Sequence, residues 1–268
     1  MKDIVVVAYI NKFNYKNYIG QKIKVLGDVD LSNLGLKEIP IIFSTVGGDF
    51  NCSYNYLTSL RWCPVIVNGN FDCSHNLLVA SLRYCPIKVG KSFYCNSNKL
   101  ISLKWCTKKI PYTFDCSSNK LTSLDYSPRE IGWDFNCALN CLISLRGCTR
   151  LIGIDFNCSF NKLNSLAYCS KNIGYSFDCS YNNLSSLKGC QEIIYGNFNC
   201  AHNYLTSLKY CALEVDCSFT CFGNSLMSLR SCASKILGNF ECRGNKKSFT
   251  KAYINTLTNV RGIINGSP

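Results

Sequence analysis

Twenty cysteines and two histidines are the residues of this 268-residue chain best equipped for chemistry. A thiolate can attack, ligate a metal or pair into a disulfide, and an imidazole can ligate or carry protons. Spacing decides among these uses. His75 and His202 fill the same slot of a repeated phrase six repeats apart. At a strand spacing of about 4.8 Å that is on the order of 29 Å, too far to share a metal or a proton relay. Cys137 with Cys141, and Cys217 with Cys221, have three residues between them instead of zinc's usual two, and neither pair has a matching second pair nearby. Cys141 and Cys217 are the candidates for an exposed nucleophile, but the sequence supplies neither with a base. Phosphate-binding loop, zinc-hydrolase helix and nucleophile elbow are absent from the sequence as well. The expectation is a chain that is not an enzyme and has neither cofactor nor metal.

The cysteines instead keep time. One series runs Cys52, Cys73, Cys95, Cys116 and onward to Cys242, and a second runs Cys63, Cys85, Cys106 and onward to Cys232. Cys141 and Cys217 alone stand outside both. Each member of the first series follows a Phe by two residues, from Phe50 to Phe240. The step is 21 residues, except for 22 between Phe71 and Phe93, where Val79-Ala80 supplies the extra residue. A fixed period in this range is the signature of a solenoid, which overrides any domain count taken from length. Cysteine is a small, readily buried hydrophobe, so periodic cysteines predict core ladders of reduced thiols and a reducing compartment.

The unit reads Val/Ile-x-Gly-x-Phe-x-Cys-Ser-x-Asn-x-Leu-x-Ser-Leu-x-x-Cys-Pro. Phe and Cys two apart point to one side of an extended strand, so each unit predicts one short strand and one compact return segment. An unbroken series from Asn55 to Asn245 suits backbone support where the strand turns, because an amide both donates and accepts. Residues 1–28, with a strand from Ile4 to Ile10, read as an N-terminal cap. The solenoid occupies 29–247, its first unit degenerate at Val29. Residues 248–268 read as a C-terminal cap, with a short helix carrying Phe249, Tyr253 and Leu257 on one face and a loose tail from Gly262.

The spacing Phe-x-Cys-x-x-Asn-x-Leu, as in Phe177-Asp178-Cys179-Ser180-Tyr181-Asn182-Asn183-Leu184, resembles the leucine-rich-repeat pattern, with Phe and Cys in the first two leucine slots. It is also similar to short repeat proteins encoded by bacteriophages and some bacteria. The resemblance implies an α/β-type leucine-rich-repeat solenoid with capped ends. Its strands would be mostly parallel on a concave face that binds a protein, and its return segments irregular.

Composition narrows the partner. At 47% hydrophobic and 17% charged the chain is too apolar for disorder, and its net charge of +13 favours an acidic partner, nucleic acid or anionic lipid. No apolar run reaches the length of a membrane span, so a cytoplasmic location is expected, that of the host cell if the chain is phage-encoded. Beside each Phe the outward strand positions are polar and acidic, among them Asp72, Asp115, Asp134, Asp155 and Asp178. The slot after the repeated Ser varies, holding Tyr54, His75, Phe160, Tyr181 and His202. Together these are the expected protein-binding residues, and the partner is then a host protein that a phage chain would modulate. A self-packed aromatic ladder is the plainer reading of the varied column.

The basic charge lies elsewhere. Arg61, Arg83, Lys104, Arg146, Lys188, Lys209 and Arg230 directly follow the second repeated Leu, and Trp62, Tyr84, Trp105 and Tyr210 interleave with them. Basic groups among aromatics can hold a phosphate backbone while stacking on bases, which makes nucleic-acid binding along this edge the alternative function. Its plainer counterpart is a solvated edge in which basic stems cover the rings.

Overall fold

The computed structural model describes residues 4–266, so the outermost residues of both expected caps, 1–3 and 267–268, lie outside the described residues. The chain divides into two compact units, Met1–Asp134 and Phe135–Pro268. Each is a stack of coils of a parallel β-solenoid. Among the described residues no helix is long and apolar enough to cross a membrane.

In the first unit the strands Val29–Asp30, Phe50–Asn51, Phe71–Asp72, Phe93–Tyr94 and Phe114–Asp115 pair in parallel, with Val29 opposite Phe50 and Phe opposite Phe thereafter. In the second the same ladder runs through Phe135–Asn136, Phe156–Asn157, Phe177–Asp178, Phe198–Asn199, Phe219–Thr220 and Phe240–Glu241. Every strand shows the same pattern, with Phe buried and its neighbour half-buried. The Phe rings stack coil on coil in the second unit, with centroids 5.1 to 5.8 Å apart from Phe156 to Phe219. The cysteine two residues on and both repeated leucines are buried with them. A 21-residue coil has one core face, and these residues fill it.

The return segment is more regular than the sequence suggests. A second parallel ladder forms four residues before each Phe. It runs through Ile42–Val46, Ile66–Val67 and Lys88–Val89, and through Lys109–Ile110 and Glu130–Ile131, in the first unit. In the second unit it includes Ile193–Ile194, Glu214–Val215 and Lys235–Ile236. The Val or Ile of each strand points inward while its neighbour faces water. Two outward pairs meet across the ladder as ion pairs, Lys109 with Glu130 and Lys235 with Glu214, each at 2.8 Å. One strand per coil was the expectation, and two is the finding. Strands of two residues leave no alternation for a sequence to display.

Both ends continue the ladders. Val5–Val7 pairs with Lys22–Val25, and Ile10 bridges to Val29 in the slot that Phe fills elsewhere. At the other end Asn259–Val260 and Ile264–Asn265 extend the two ladders, so the segment after Gly262 is a paired strand and not a loose tail. The C-terminal helix is the single turn Lys251–Asn255, capped by Thr250, whose Oγ1 accepts from the Tyr253 N–H. Phe249 and Ile254 are buried beneath it, and Tyr253 stacks on Phe249 at 5.9 Å.

Where a glycine stands before a strand, close approach of the neighbouring coil sets it. A Cβ at Gly90 would strike the Asn68 carbonyl of the preceding coil, as one at Gly132 would strike the Pro111 carbonyl. Backbone cannot yield as a side-chain tip can. Gly90→Ala is therefore expected to lower stability by about 1–3 kcal/mol in urea unfolding, as overpacking does elsewhere.

Candidate functional site

The asparagine ladder closes each coil. Asn76 Oδ1 accepts from the Leu57 N–H at 2.9 Å, while its Nδ2 donates to the carbonyls of Cys52, Cys73 and Ser74 at 3.0 to 3.2 Å. Asn182 makes the equivalent bonds to Leu163, Cys158, Cys179 and Ser180. One buried amide thus ties two successive coils, which is the supporting role its sequence spacing implies.

What remains for function is the outward surface, and part of that is also occupied. Asp72, Asp115 and Asp178 each accept the N–H of the serine two residues on, at 2.8 to 2.9 Å. Asn51, Asn157 and Asn199 do the same for their own turns. This is an Asx turn, which ends the strand and aims the chain into the corner. Asp155 accepts the Ser176 N–H of the next coil at 2.9 Å, and Asp134 accepts from Thr113 Oγ1 at 3.2 Å. The five aspartates expected to meet a partner therefore also hold the fold. For Asp72, Asp115 and Asp178 the Asp-x-Ser spacing carries that signal.

Both variable columns share a property that their residue types conceal. Tyr54, His75, Phe160, Tyr181 and His202 have φ between 50° and 52°, and Trp62, Tyr84, Trp105, Tyr126 and Tyr210 between 69° and 77°. This left-handed region costs a non-glycine residue about 1–2 kcal/mol. Gly223 and Gly244 in the first column, and Gly147 and Gly189 in the second, occupy the same slots at positive φ. The corner geometry asks for glycine, yet the chain places aromatic rings there.

The two columns use those rings differently. In the first, the rings stack on each other, Tyr54 on His75 at 4.1 Å and Phe160 on Tyr181 and Tyr181 on His202 at 4.2 Å. The plainer reading of a self-packed ladder is correct as far as contacts go, but Tyr54, Phe160 and Tyr181 stay 58%, 47% and 43% exposed. In the second, four of the rings sit under the cation that precedes them, while Tyr126 follows Asp125. Arg61 lies 4.4 Å from the centre of Trp62, Arg83 4.8 Å from Tyr84, Lys104 5.5 Å from Trp105 and Lys209 5.1 Å from Tyr210. Arg146 and Lys188 precede Gly147 and Gly189, and Arg230 precedes Ser231, so these three have no ring of their own to cover.

All twenty cysteines are free thiols, and among the described residues no group of three His, Cys, Asp or Glu side chains converges to hold a metal ion. Burial raises many of the ladder thiols far above the ordinary 9.0, with smaller contributions from neighbouring sulfurs in several. Cys95 and Cys158 are held well above it, and Cys85, Cys148, Cys190 and Cys232 are pushed up to about 12. At neutral pH such groups are protonated and inert. Cys141 and Cys217 are only partly covered, and Cys217 Sγ lies 3.4 Å from Tyr175 Oη. A thiol-selective reagent near pH 8 is expected to label Cys141 and Cys217 first, read by peptide mapping. Cys148, Cys190 and Cys232 are also partly covered but are held protonated with values pushed up to about 12, so they follow, and the fully buried ladder members react only after denaturation.

No protein-family model matches the chain, and no curated protein matches it either. Among solved structures, YopM from Yersinia enterocolitica WA-314 is similar, at 16% identity and a TM-score of 0.46. The match covers 90% of this chain and 64% of that one. The assignment to a leucine-rich-repeat-type parallel solenoid rests on the chain's own ladders and its coil-closing asparagines.

Proposed function

We propose that the chain is a non-enzymatic protein-recognition scaffold whose partner lies along the outward face of the Phe-x-Cys strands and the varied column beside it. The observation that carries this reading is the stacked strip Phe160, Tyr181 and His202, whose rings are partly exposed and sit on backbone better suited to glycine. Rings immobilised by stacking lose little freedom when a partner covers them, which is the main cost an aromatic contact otherwise carries. The aspartates beside the strip supply polar contact from positions the Asx turns have already fixed. Free thiols suit a reducing compartment, where a phage-encoded chain would meet proteins of its host.

The nucleic-acid reading of the basic edge has less support. A base needs an open ring face, and in the Arg61–Trp62, Arg83–Tyr84 and Lys104–Trp105 pairs a cation already occupies one. In the second unit Gly147, Gly189 and Ser231 leave gaps in the row of rings. Affinity capture from native cells, with Phe160→Ala/Tyr181→Ala beside the natural chain, tests the proposal. A protein retained by the natural chain and lost, by about tenfold or more, from the variant is the expected result. Equal recovery on both removes the strip from the binding site, and recovery of nucleic acid alone overturns the reading.

A further inference from the structure

Trp62, Tyr84, Trp105 and Tyr126 line one bank of a trough in the first unit, one ring per coil, with exposed Val65 and Ile87 also in its lining. Two depressions of about 700 and 400 Å³ make it up, and they share Ile87. Ile87 is 73% exposed and Trp105 60%, so the trough is an apolar surface laid open to water. Large apolar side chains gathered this way usually await a partner.

Charge states what kind. Arg61 lines the first depression and Lys104 and Lys108 the second, while Arg83 rests on the Tyr84 ring that lines the first. Among the described residues none of the four is in an ion pair, unlike Lys109, which Glu130 neutralises. A guanidinium resting on a ring keeps its N–H edge free, and the ring restricts its motion, so a carboxylate can be held with less ordering.

Spacing states what shape. Successive coils are about 4.8 Å apart, close to the 5.4 Å at which a helix presents successive turns. Alternate side chains of an extended peptide fall about 6.8 Å apart and drift out of register within two coils. Bases along one nucleic-acid strand rise by about 3.4 Å, which misses the coil spacing in the other direction.

We propose that this trough seats an acidic amphipathic helix of a partner protein. Its apolar stripe lies against Val65, Ile87 and the rings, and its carboxylates lie on Arg61, Arg83 and Lys104. The proposal rests on the protein-recognition reading but uses a surface separate from the strand face.

The test uses the full chain and a fluorescent synthetic helix of glutamate carrying leucines at i, i+4 and i+7. Comparators are the same composition with the leucines scrambled, the striped helix with lysine for glutamate, and oligothymidylate. The striped acidic helix is expected to bind at least about tenfold more tightly than every comparator, and Trp105→Gly to weaken it by about tenfold. Glycine suits the φ of 77° at this position, so the variant removes the ring while keeping the corner. Arg83→Gln is expected to weaken binding and flatten its salt dependence, with the thermal unfolding midpoint unchanged. Equal binding of the scrambled helix, preference for oligothymidylate or the lysine helix, or indifference to both variants overturns the proposal. If the helix fails while capture through Phe160 and Tyr181 holds, the trough alone is refuted, and the converse refutes only the strand face.

Discussion

Raising the pH from about 8 to about 11 is expected to unfold the chain in one steep transition, set by its thiols. Cys85, Cys148, Cys190 and Cys232 are pushed by burial from 9.0 to about 12 in the folded chain. Unfolding frees them to ionise at the lower value. Because the folded value is the higher one, their contribution is intact below about pH 9 and drains away as the pH climbs toward 12. Each thiol costs about 1.4 kcal/mol of stability per pH unit within that window. Four together remove about 5 kcal/mol per unit, and the more deeply buried members such as Cys95 and Cys158 add to this. A domain typically holds about 5–15 kcal/mol in reserve, so little would remain by about pH 11. Circular dichroism against pH reads the transition. Replacing Cys190 and Cys232 by Ala should make it shallower and move it upward. A chain still native at about pH 11.5 would mean that the cysteine ladders are far less buried than described.

Asn76→Ala is expected to cost about 3–5 kcal/mol in urea unfolding, the largest loss from any single amide. The substitution strips a donor from the carbonyls of Cys52, Cys73 and Ser74 and an acceptor from the Leu57 N–H. Asn76 is 5% exposed, so water does not readily replace these bonds. A buried polar group left unpaired costs about 1–3 kcal/mol, and here groups from two coils are stranded together. Asn76→Asp keeps the shape but gives up every donated bond and should be no better. Asn245, in a partly exposed coil and with all but its 2.8 Å bond to the Cys242 carbonyl at 3.2 to 3.4 Å, should cost visibly less on the same change. Equal and small losses at Asn76 and Asn245 would show that coil closure does not depend on the amide.

Much of this fold is legible because it is written ten times over. Phe71, Cys73, Leu78 and Leu82 are core in the structure as their period implies, and Asn76 supports backbone as its chemistry implies. The second ladder escaped notice because Lys88–Val89 or Glu130–Ile131 offers one inward residue and no alternation. The left-handed corners were hidden by their occupants. Trp62 and Tyr84 read as exposed aromatics, and only glycines in the equivalent slots, such as Gly147 and Gly189, betray the backbone beneath. Asp72 and Asp178 were legible as outward, but an aspartate two residues before a serine has a turn to make before it can meet a partner. An outward aspartate beside the strand thus carries a turn as well as its charge, and an aromatic corner carries backbone strain that its residue type does not display.

A protein partner is expected to cover the stacked column of Phe160, Tyr181 and His202. A photo-crosslinking phenylalanine analogue in place of Tyr181 tests this directly, with Tyr195 as the control because it is exposed but directly follows the return-ladder strand Ile193–Ile194. Cross-linked in native cells, the chain is predicted to trap one protein at Tyr181 that Tyr195 does not trap, and to lose it when Phe160 is changed to Ala. Adducts of equal yield from both positions, or adducts with nucleic acid in place of protein, would contradict it.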